Sequence, residues 1–313
     1  MNKLILISGP TGVGKSSLAI KLAKILDTEI ISADSMQIYK GFNIGTAKVT
    51  EEEMQGIKHH MIDIVDANDN FSVKEYREMA YKIIDKLHSE NKIPIVVGGT
   101  GLYINSLIYN LNFDDNNADE DIRNMLNNML EEKGIEYIRK ILKHVDEESY
   151  NKLHLNDYKR NVRALEYFLC KNEKYSEKEN QFRVDNGKYE WHLYALTRDR
   201  TDLYKDIDAR VDDMLKDGLL DEFEVLKKSG VKDDAQSMTA IGYKELVKYK
   251  NGDYDLDTAI KLIKQHSRNY AKRQLTWFRN DEKTKFIDVG AKDKEEIIKK
   301  ILEDINVKYW WYF

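Results

Sequence analysis

Short segments that are apolar at nearly every position alternate with longer amphipathic segments along the first third of the chain. Continuous apolar runs of this kind are typical of strands buried on both faces of a parallel sheet. Three runs fit that description: residues 3–8, 29–33 and 94–97. Lys15 to Leu26 has helical spacing, and Ser72 with Glu75 forms a capping box that begins another helix. The alternation of strand and helix predicts a doubly wound α/β fold.

The middle of the chain has a different pattern. Residues 114–185 show helical periodicity and no convincing strand, whereas Tyr189 to Leu196 has the pattern of a strand again. We therefore expect a core formed by residues 1–113 and 187–313, interrupted by an all-helical insertion at residues 114–186.

The last third of the chain predicts mainly helices. Helical patterns cover residues 201–215, 219–228, 237–250, 256–279 and 293–306, with one strand at 285–289. The five residues from Tyr309 to Phe313 are all aromatic. We expect them to pack on the protein or on an oligomer partner, because an exposed cluster of this size favours aggregation.

Composition and charge narrow the class of protein. The chain has 313 residues, of which 42% are hydrophobic and 34% charged, as in a globular protein. Its apolar runs are too short to cross a bilayer. Cys170 is the single cysteine, which excludes an intrachain disulfide and agrees with a reducing cytoplasm. The net charge of −5 argues against a strongly nucleic-acid-binding protein, although local basic patches decide phosphate binding.

A complete phosphate-binding loop follows the first predicted strand. The pattern G-x-x-x-x-G-K-[ST] is matched by Gly9, Pro10, Thr11, Gly12, Val13, Gly14, Lys15 and Ser16. Successive backbone N–H groups and the N-terminus of the next helix bind anionic oxygens in such a loop. Lys15 adds a cation, and the Ser16 hydroxyl is a ligand for Mg²⁺ that bridges two phosphates. The motif predicts a P-loop NTPase-like parallel sheet core that carries the helical insertion.

Asp34 follows the second predicted strand, at the edge where α/β sheets bind ligands. Its position leaves three roles open: a general base, a Mg²⁺ ligand through water, or a cap of the next segment. The glycine-rich turn at residues 98–101 presents the hydroxyl of Thr100. Such a turn either brings backbone close to a ligand or has no role beyond the turn itself.

Basic residues form two clusters outside the loop. They are Lys159, Arg160 and Arg163 in the insertion, and Lys261, Lys264, Arg268 and Lys272 on one face of a later helix. A solvated charged face is the ordinary explanation of such spacing, and an RNA backbone is the alternative. Arg210 is either a ligand for an anionic substrate or part of a surface ion pair. His59 and His60 are adjacent and point apart, so we expect no zinc site there.

Further segments accompany the phosphate-binding loop in a fixed order. They are Ser32 to Tyr39, Gly45 to Lys48, His59 to Asp63, Gly98 to Tyr103, Asn156-Asp157, Arg163 to Glu166, Ala240 to Glu245 and Tyr270 to Arg279. With residues 9–16, they resemble the tRNA dimethylallyltransferase (tRNA isopentenyltransferase) family over nearly the whole chain. The resemblance implies transfer of a dimethylallyl group from dimethylallyl diphosphate to N6 of the adenosine just 3′ of the anticodon. The expected acceptors are tRNAs that read codons beginning with U.

The resemblance also implies roles for individual residues. Residues 9–16 hold the diphosphate, Asp34 is the base toward N6, and Lys15, Thr100 and Arg210 complete the catalytic group. The implied tRNA contacts are Asp34, Ser35, Met36, Gln37, Thr100, Arg123, Lys159, Arg160, Asn161, Val162 and Arg163. Mg²⁺ is the implied cofactor, with Ser16 as its ligand. We expect a monomeric cytoplasmic enzyme without a membrane partner, whose insertion grips the anticodon stem-loop.

Two departures from the family pattern fall in or near the insertion. Leu155 stands where the family usually has proline before Asn156, and residues 112–118 lack the usual prolines. Three other functions fit the loop: isopentenyl transfer to free AMP, ADP or ATP, a small P-loop kinase, and RNA binding without turnover. The insertion disfavours the first, because a mononucleotide needs no second gripping surface.

Overall fold

A computed structural model of the chain describes residues 2–111, 120–180, 183–291 and 293–307. The chain divides into two compact units, one of residues 1–108 with 187–313 and one of residues 109–186. The predicted boundary at 113/114, the proline-poor stretch 112–118 and the aromatic cluster 309–313 lie outside the described residues.

The first unit is built on a sheet of six parallel strands, which confirms the predicted α/β class. The strands are β1 Lys3–Ser8, β2 Ile30–Ser32, β3 His59–His60, β4 Ile95–Val97, β5 Glu190–Thr197 and β6 Lys285–Asp288. They lie in the order β3-β2-β4-β1-β5-β6. The sequence did not predict β3, which pairs with β2 through only two residues.

Helices cover the sheet of this unit. They are α1 Lys15–Ile25, α2 Glu51–Met54, α3 Val73–Ser89, α4 Gly101–Ile108, α9 Arg200–Lys216, α10 Leu219–Lys228, α11 Tyr243–Lys250, α12 Leu256–Arg279 and α13 Lys294–Asp304. The predicted single helix over 237–250 is wrong. A 3-10 turn at Gln236–Thr239 and α11 replace it, because Gly242 adopts a φ of +104° that no helix accommodates.

The core of this unit fixes the position of the phosphate-binding loop. Ile5 and Ile7 of β1 are fully buried, and Leu22 of α1 packs in the same cluster. Ile301 of α13 joins that cluster. The loop between β1 and α1 is therefore anchored at both ends by buried apolar side chains.

The second unit contains four helices and no strand within its described residues. The helices are α5 Glu120–Val145, α6 Glu147–Lys152, α7 Tyr158–Lys171 and α8 Tyr175–Asn180. Gly134, with φ 75° and ψ 172°, breaks the helical conformation inside α5. Leu126 and Ile138, on either side of that break, pack with Leu165 of α7 in one apolar cluster.

A buried carboxylate in the second unit accepts hydrogen bonds at the N-termini of both α6 and α8. Asp146 accepts hydrogen bonds from the backbone N and the Oγ of both Ser149 and Ser176. These four bonds lower the pKa of Asp146 although burial by itself raises it. An antiparallel β-bridge joins Tyr109 and Asp185, so the two ends of the second unit lie side by side.

No helix in the described ranges is both long enough and apolar enough to span a membrane.

Candidate active site

The glycines of the phosphate-binding loop adopt conformations that other residues rarely reach. Gly12 and Gly14 have φ of +79° and +91°, in the left-handed region. A Cβ on Gly9 would lie 2.5 Å from the backbone oxygen of Leu196. Gly14 caps α1 without a side-chain hydrogen bond, so the first N–H groups of the helix are left for an anion.

Lys15 lies within this loop and is half-buried. Its Nζ donates to the backbone oxygen of Pro10 at 2.7 Å, which leaves two ammonium hydrogens for a ligand. Burial lowers the pKa of Lys15 to about 8; the Asp34 carboxylate opposes this shift and Arg210 adds to it. An anion bound at the loop would favour the charged form of Lys15 and raise its pKa again.

A cavity of about 680 Å³ opens beside the loop, at the carboxyl ends of β2 and β4. Its wall includes half of the site residues that the sequence singled out: Thr11, Gly12, Gly14, Lys15, Ser16, Asp34, Ser35, Met36, Gln37 and Arg210. Gly9, Pro10 and Val13 belong to the loop but do not line this cavity. All of the lining residues lie in the first unit.

The Asp34 carboxylate divides its two oxygens between different tasks. Oδ1 accepts from the backbone N of Met36 at 2.9 Å and of Gln37 at 3.3 Å, which is a local cap. No hydrogen bond to Oδ2 comes from the described residues. One carboxylate can therefore cap the 35–37 turn and still offer an oxygen to a ligand in the cavity.

Thr100 lies behind the cavity wall rather than in it. Its Oγ1 accepts from the backbone N of Ser35 at 3.0 Å, and its own N–H donates to the oxygen of Ala33 at 3.0 Å. Thr100 therefore ties the turn that carries Asp34 to the end of β4.

The glycines around Thr100 allow other parts of the protein to pack closely against them. A Cβ on Gly98 would lie 2.1 Å from the oxygen of Ala33, and one on Gly99 2.0 Å from Nε2 of Gln274. A Cβ on Gly101 would lie 2.3 Å from the ring of Trp277. α12 and the end of β2 occupy the space on the side where a Cβ would lie, while Gly98 and Gly99 also line the cavity, so a close approach of this backbone to a ligand stays a prediction.

Arg210 enters the cavity from α9 and is half-buried. No described carboxylate lies within ion-pair distance of its guanidinium, which favours a ligand for an anionic substrate over a surface ion pair. Burial lowers the pKa of Arg210, while Glu53 and Asp34 act in the opposite direction. The structure thus presents a guanidinium near Lys15, suited to an anionic group.

α12 contributes residues to which the sequence analysis gave no role. Tyr270, Arg273 and Gln274 line the cavity. Burial, and next the Asp34 carboxylate, raise the pKa of Tyr270 to about 12, so its phenol stays protonated. Nε2 of Gln274 donates to the oxygen of Gly99 at 3.0 Å, whereas its buried Oε1 has no hydrogen-bond partner among the residues that the structure describes. The motif from Tyr270 to Arg279 marked this segment in the sequence, but it did not indicate what these three side chains do.

Two of the four cations on the basic face of α12 form ion pairs with α9. Lys264 pairs with Asp212 at 2.6 Å, and Arg268 pairs with Asp208. This arrangement weakens the alternative of an RNA-binding face on α12, because two of the four cations are neutralised within the unit.

The basic residues of the second unit have mixed environments. Glu166 is 2% exposed and pairs with both Arg123 and Arg163 at 2.9 Å. Asn161 is fully buried and holds the turn before α7 through bonds from its Nδ2 to the oxygens of His154 and Asp157. Val162 is buried in the apolar core as well. Within the predicted tRNA contact of residues 159–163, the exposed charged side chains are Lys159 and Arg160.

The donor set suits a cation that arrives with a diphosphate. No group of three or more His, Cys, Asp or Glu side chains that could hold a metal occurs among the described residues. Mg²⁺ needs no such group, because it keeps several waters and binds one or two protein oxygens with substrate phosphates. The hydroxyl of Ser16 and Oδ2 of Asp34 are oxygen donors of this kind in the cavity wall.

Comparison with known proteins gives a family and a set of related structures. The sequence model of the family described as IPP transferase matches residues 37–281. The tRNA isopentenylpyrophosphate transferase of Bacillus halodurans is 40% identical, with 98% of this chain and 96% of that chain covered and a TM-score of 0.74. The Staphylococcus epidermidis tRNA delta(2)-isopentenylpyrophosphate transferase is 41% identical, with coverages of 98% and 99% and a TM-score of 0.72. A eukaryotic dimethylallyltransferase acting on tRNA is 29% identical, with coverages of 99% and 81% and a TM-score of 0.81.

Proposed function

Because the chain belongs to the IPP transferase family, we propose that it transfers a dimethylallyl group from dimethylallyl diphosphate to N6 of the adenosine 3′ of the anticodon. The acceptors are tRNAs that read codons beginning with U. The observation that carries this proposal is the cavity that joins the phosphate-binding loop to Asp34 and Arg210 within one space.

The diphosphate of the donor would lie on the loop. N–H groups at the start of α1 and the Lys15 ammonium face its oxygens, and Arg210 supplies a second cation. Ser16 would hold Mg²⁺, which neutralises charge on the diphosphate when it is bound. These groups stabilise the leaving diphosphate as the bond between it and the allylic carbon breaks.

The acceptor side of the reaction belongs to Asp34. The exocyclic amine of adenine is a poor nucleophile, so removal of its proton assists attack on the allylic carbon. Oδ2 of Asp34 is the oxygen that can take this proton while Oδ1 keeps the cap. The new N6–carbon bond forms, the carbon–oxygen bond breaks, and diphosphate leaves with its electron pair.

A tRNA acceptor fits the second unit better than a free nucleotide does. Lys159 and Arg160 are exposed at the start of α7, with Tyr158 48% exposed beside them. Cations next to an exposed aromatic ring suit an RNA backbone with unstacked bases. The relatives at about 40% identity are named for tRNA. We also propose a monomeric enzyme of the cytoplasm, the compartment with which the single cysteine agrees.

One assay separates this function from its alternatives. The protein is incubated with Mg²⁺, dimethylallyl diphosphate labelled in the allyl group, and either unmodified tRNA or AMP. We expect label in tRNA and none in AMP. Label in AMP alone would show a free-nucleotide transferase, and label in neither acceptor would exclude allyl transfer.

A further inference from the structure

A carboxylate outside the cavity holds the loop of residues 43–47 in place through hydrogen bonds. Glu222, on α10, accepts hydrogen bonds from three successive backbone N–H groups. Asn43 donates to Oε2 at 2.9 Å, Ile44 to both oxygens at 2.9 and 3.1 Å, and Gly45 to Oε1 at 3.2 Å. Three aligned N–H groups on one carboxylate are charge-assisted bonds, which are stronger than neutral ones.

Tyr243 completes this grip from α11. Its hydroxyl donates to Oε1 of Glu222 at 2.5 Å and accepts from the backbone N of Gly45 at 3.1 Å. Burial and the Glu222 carboxylate raise the pKa of Tyr243, so the phenol remains a donor. A Cβ on Gly45 would lie 2.5 Å from the Tyr243 ring, so the loop is seated directly on that ring.

The gripped loop in turn orients Gln37. Nε2 of Gln37 donates to the backbone oxygens of Thr46 at 3.3 Å and of Ala47 at 3.2 Å. Both acceptors are carbonyls, so the amide can only point its nitrogen toward the loop. Oε1 receives no hydrogen bond from the described residues, and Gln37 lines the cavity. The cavity therefore presents an acceptor oxygen next to the turn that Asp34 caps.

We propose that Glu222, together with Tyr243, is a positioning residue that fixes Oε1 of Gln37 as the acceptor for one N–H of the nucleobase amine. The inference rests on the proposed function. The N6 amine of adenine has two hydrogens: one is directed to Asp34, and the other to Gln37. A 6-oxo purine has no such hydrogen and would place its oxygen against Oε1.

The expected effect is on base discrimination rather than on donor binding. Glu222 and Tyr243 do not line the cavity, and neither touches the phosphate-binding loop. When the 43–47 loop is released, the amide of Gln37 can rotate and present Nε2 instead of Oε1. Adenine would lose one hydrogen bond, worth about three- to tenfold in affinity, and a 6-oxo purine would gain one.

The test compares two anticodon stem-loops that differ only in adenosine or inosine at the target position. Dissociation constants are measured for the unmodified chain, Glu222→Gln, Tyr243→Phe and the control Glu224→Gln. Glu224 lies on the same helix, is half-buried and pairs with Lys250. The loss for adenosine and the gain for inosine multiply, so we expect the preference for adenosine to fall about ten- to a hundredfold in the first two variants and to stay unchanged in the control. The KM for dimethylallyl diphosphate should stay unchanged in all of them.

A double-mutant cycle with Gln37→Ala separates positioning from a general structural effect. If Glu222 acts through Gln37, Glu222→Gln has no further effect on the adenosine preference once Gln37 is alanine. An additive effect, or an equal loss of affinity for both stem-loops, would overturn the role of Glu222. Tyr243→Phe keeps the ring that seats Gly45, so it stays informative if Glu222→Gln unfolds. Transfer of the dimethylallyl group to tRNA by the unsubstituted protein is measured first. If no transfer occurs, the proposed function is overturned as well. If transfer occurs and the variants keep the same preference for adenosine, only the positioning role of Glu222 is overturned.

Discussion

Oδ1 of Asp34 accepts a hydrogen bond from the backbone N of Met36 at 2.9 Å, so the residue proposed as base is also the cap of its own turn. A substitution by alanine would remove both roles at once. Asparagine keeps an acceptor oxygen for the cap but cannot take a proton, so the pair of variants separates chemistry from structure.

Asp34→Asn should therefore lower kcat by about 10²–10⁴-fold, the contribution of a positioned base, with little change in thermal stability. Asp34→Ala should lose at least as much activity and also some stability, about 1 kcal/mol for the cap. Rates of transfer and denaturant unfolding check both variants. Retention of a tenth of the rate by Asp34→Asn would remove Asp34 as the base.

Lys15 gives donor binding a pH dependence. Its pKa in the free protein is about 8, lowered by burial, and a bound diphosphate favours the charged form. The Kd for dimethylallyl diphosphate should therefore rise as the pH passes 8, and binding should take up protons. Calorimetry in buffers with different ionisation enthalpies measures this uptake. Lys15→Arg, which stays charged, should show none of it.

The lowered pKa of Lys15 also determines how the free energy of unfolding changes with pH. Between pH 8 and 10.5 the unfolded chain holds a proton on Lys15 that the folded chain has released. Stability therefore rises with pH across that window in the unmodified chain relative to Lys15→Met. The opposite slope would show that Lys15 is not desolvated.

Gly98 should tolerate no side chain. Its Cβ would lie 2.1 Å from the backbone oxygen of Ala33, which cannot move without breaking the end of β2. We expect Gly98→Ala to destabilise the protein by about 2–3 kcal/mol or more. Gly290→Ala is the matched control: its Cβ would lie 3.3 Å from the flexible carboxylate of Asp288, and it should change stability by less than about 0.5 kcal/mol. Equal effects in urea unfolding would contradict the packing described for Gly98.

Asp146 should set the acid stability of the second unit. Because its folded-state pKa is lowered, its contribution is present above its ordinary pKa of 3.8 and is lost as the pH falls below that value. Asp146→Asn leaves two serine donors facing an amide, so we expect a loss of about 2–3 kcal/mol at neutral pH. Asp157→Asn is the control, because Asn caps the exposed start of α7 as well as Asp does. Fluorescence-monitored unfolding of both variants between pH 3 and 7 provides the measurement.

Removal of the second unit tests its proposed role in RNA binding. Its ends lie side by side at Tyr109 and Asp185, so a short linker can join residues 108 and 187. Donor binding should survive, since every cavity-lining residue belongs to the first unit. The Kd for tRNA should rise well over tenfold. An unchanged tRNA affinity would contradict a gripping role for residues 109–186.

The features that the sequence predicted well are local ones. The phosphate-binding loop depends on glycines 9, 12 and 14 and on the helix that begins directly after them, all within a few residues. The capping box of Ser72 and Glu75 is equally local, and α3 begins where it predicts.

The features that the sequence missed depend on residues far apart in the chain. Gly99 is a glycine because Gln274 lies against it, and Tyr270 faces the cavity because α12 packs there. Arg163 and Glu166 are three residues apart, yet the pairing of Glu166 with Arg123 spans 43 residues. Helical periodicity reports which face of α12 is apolar, but not which polar residue meets a cavity.

A donor labelled separately in its allyl group and in its diphosphate tests the central claim most directly. If the loop holds the leaving diphosphate of a prenyl donor, the allyl label appears in tRNA at the adenosine 3′ of the anticodon and the other label is released as inorganic diphosphate. Phosphate label in the acceptor, or release of diphosphate with no allyl label in tRNA, would contradict the account.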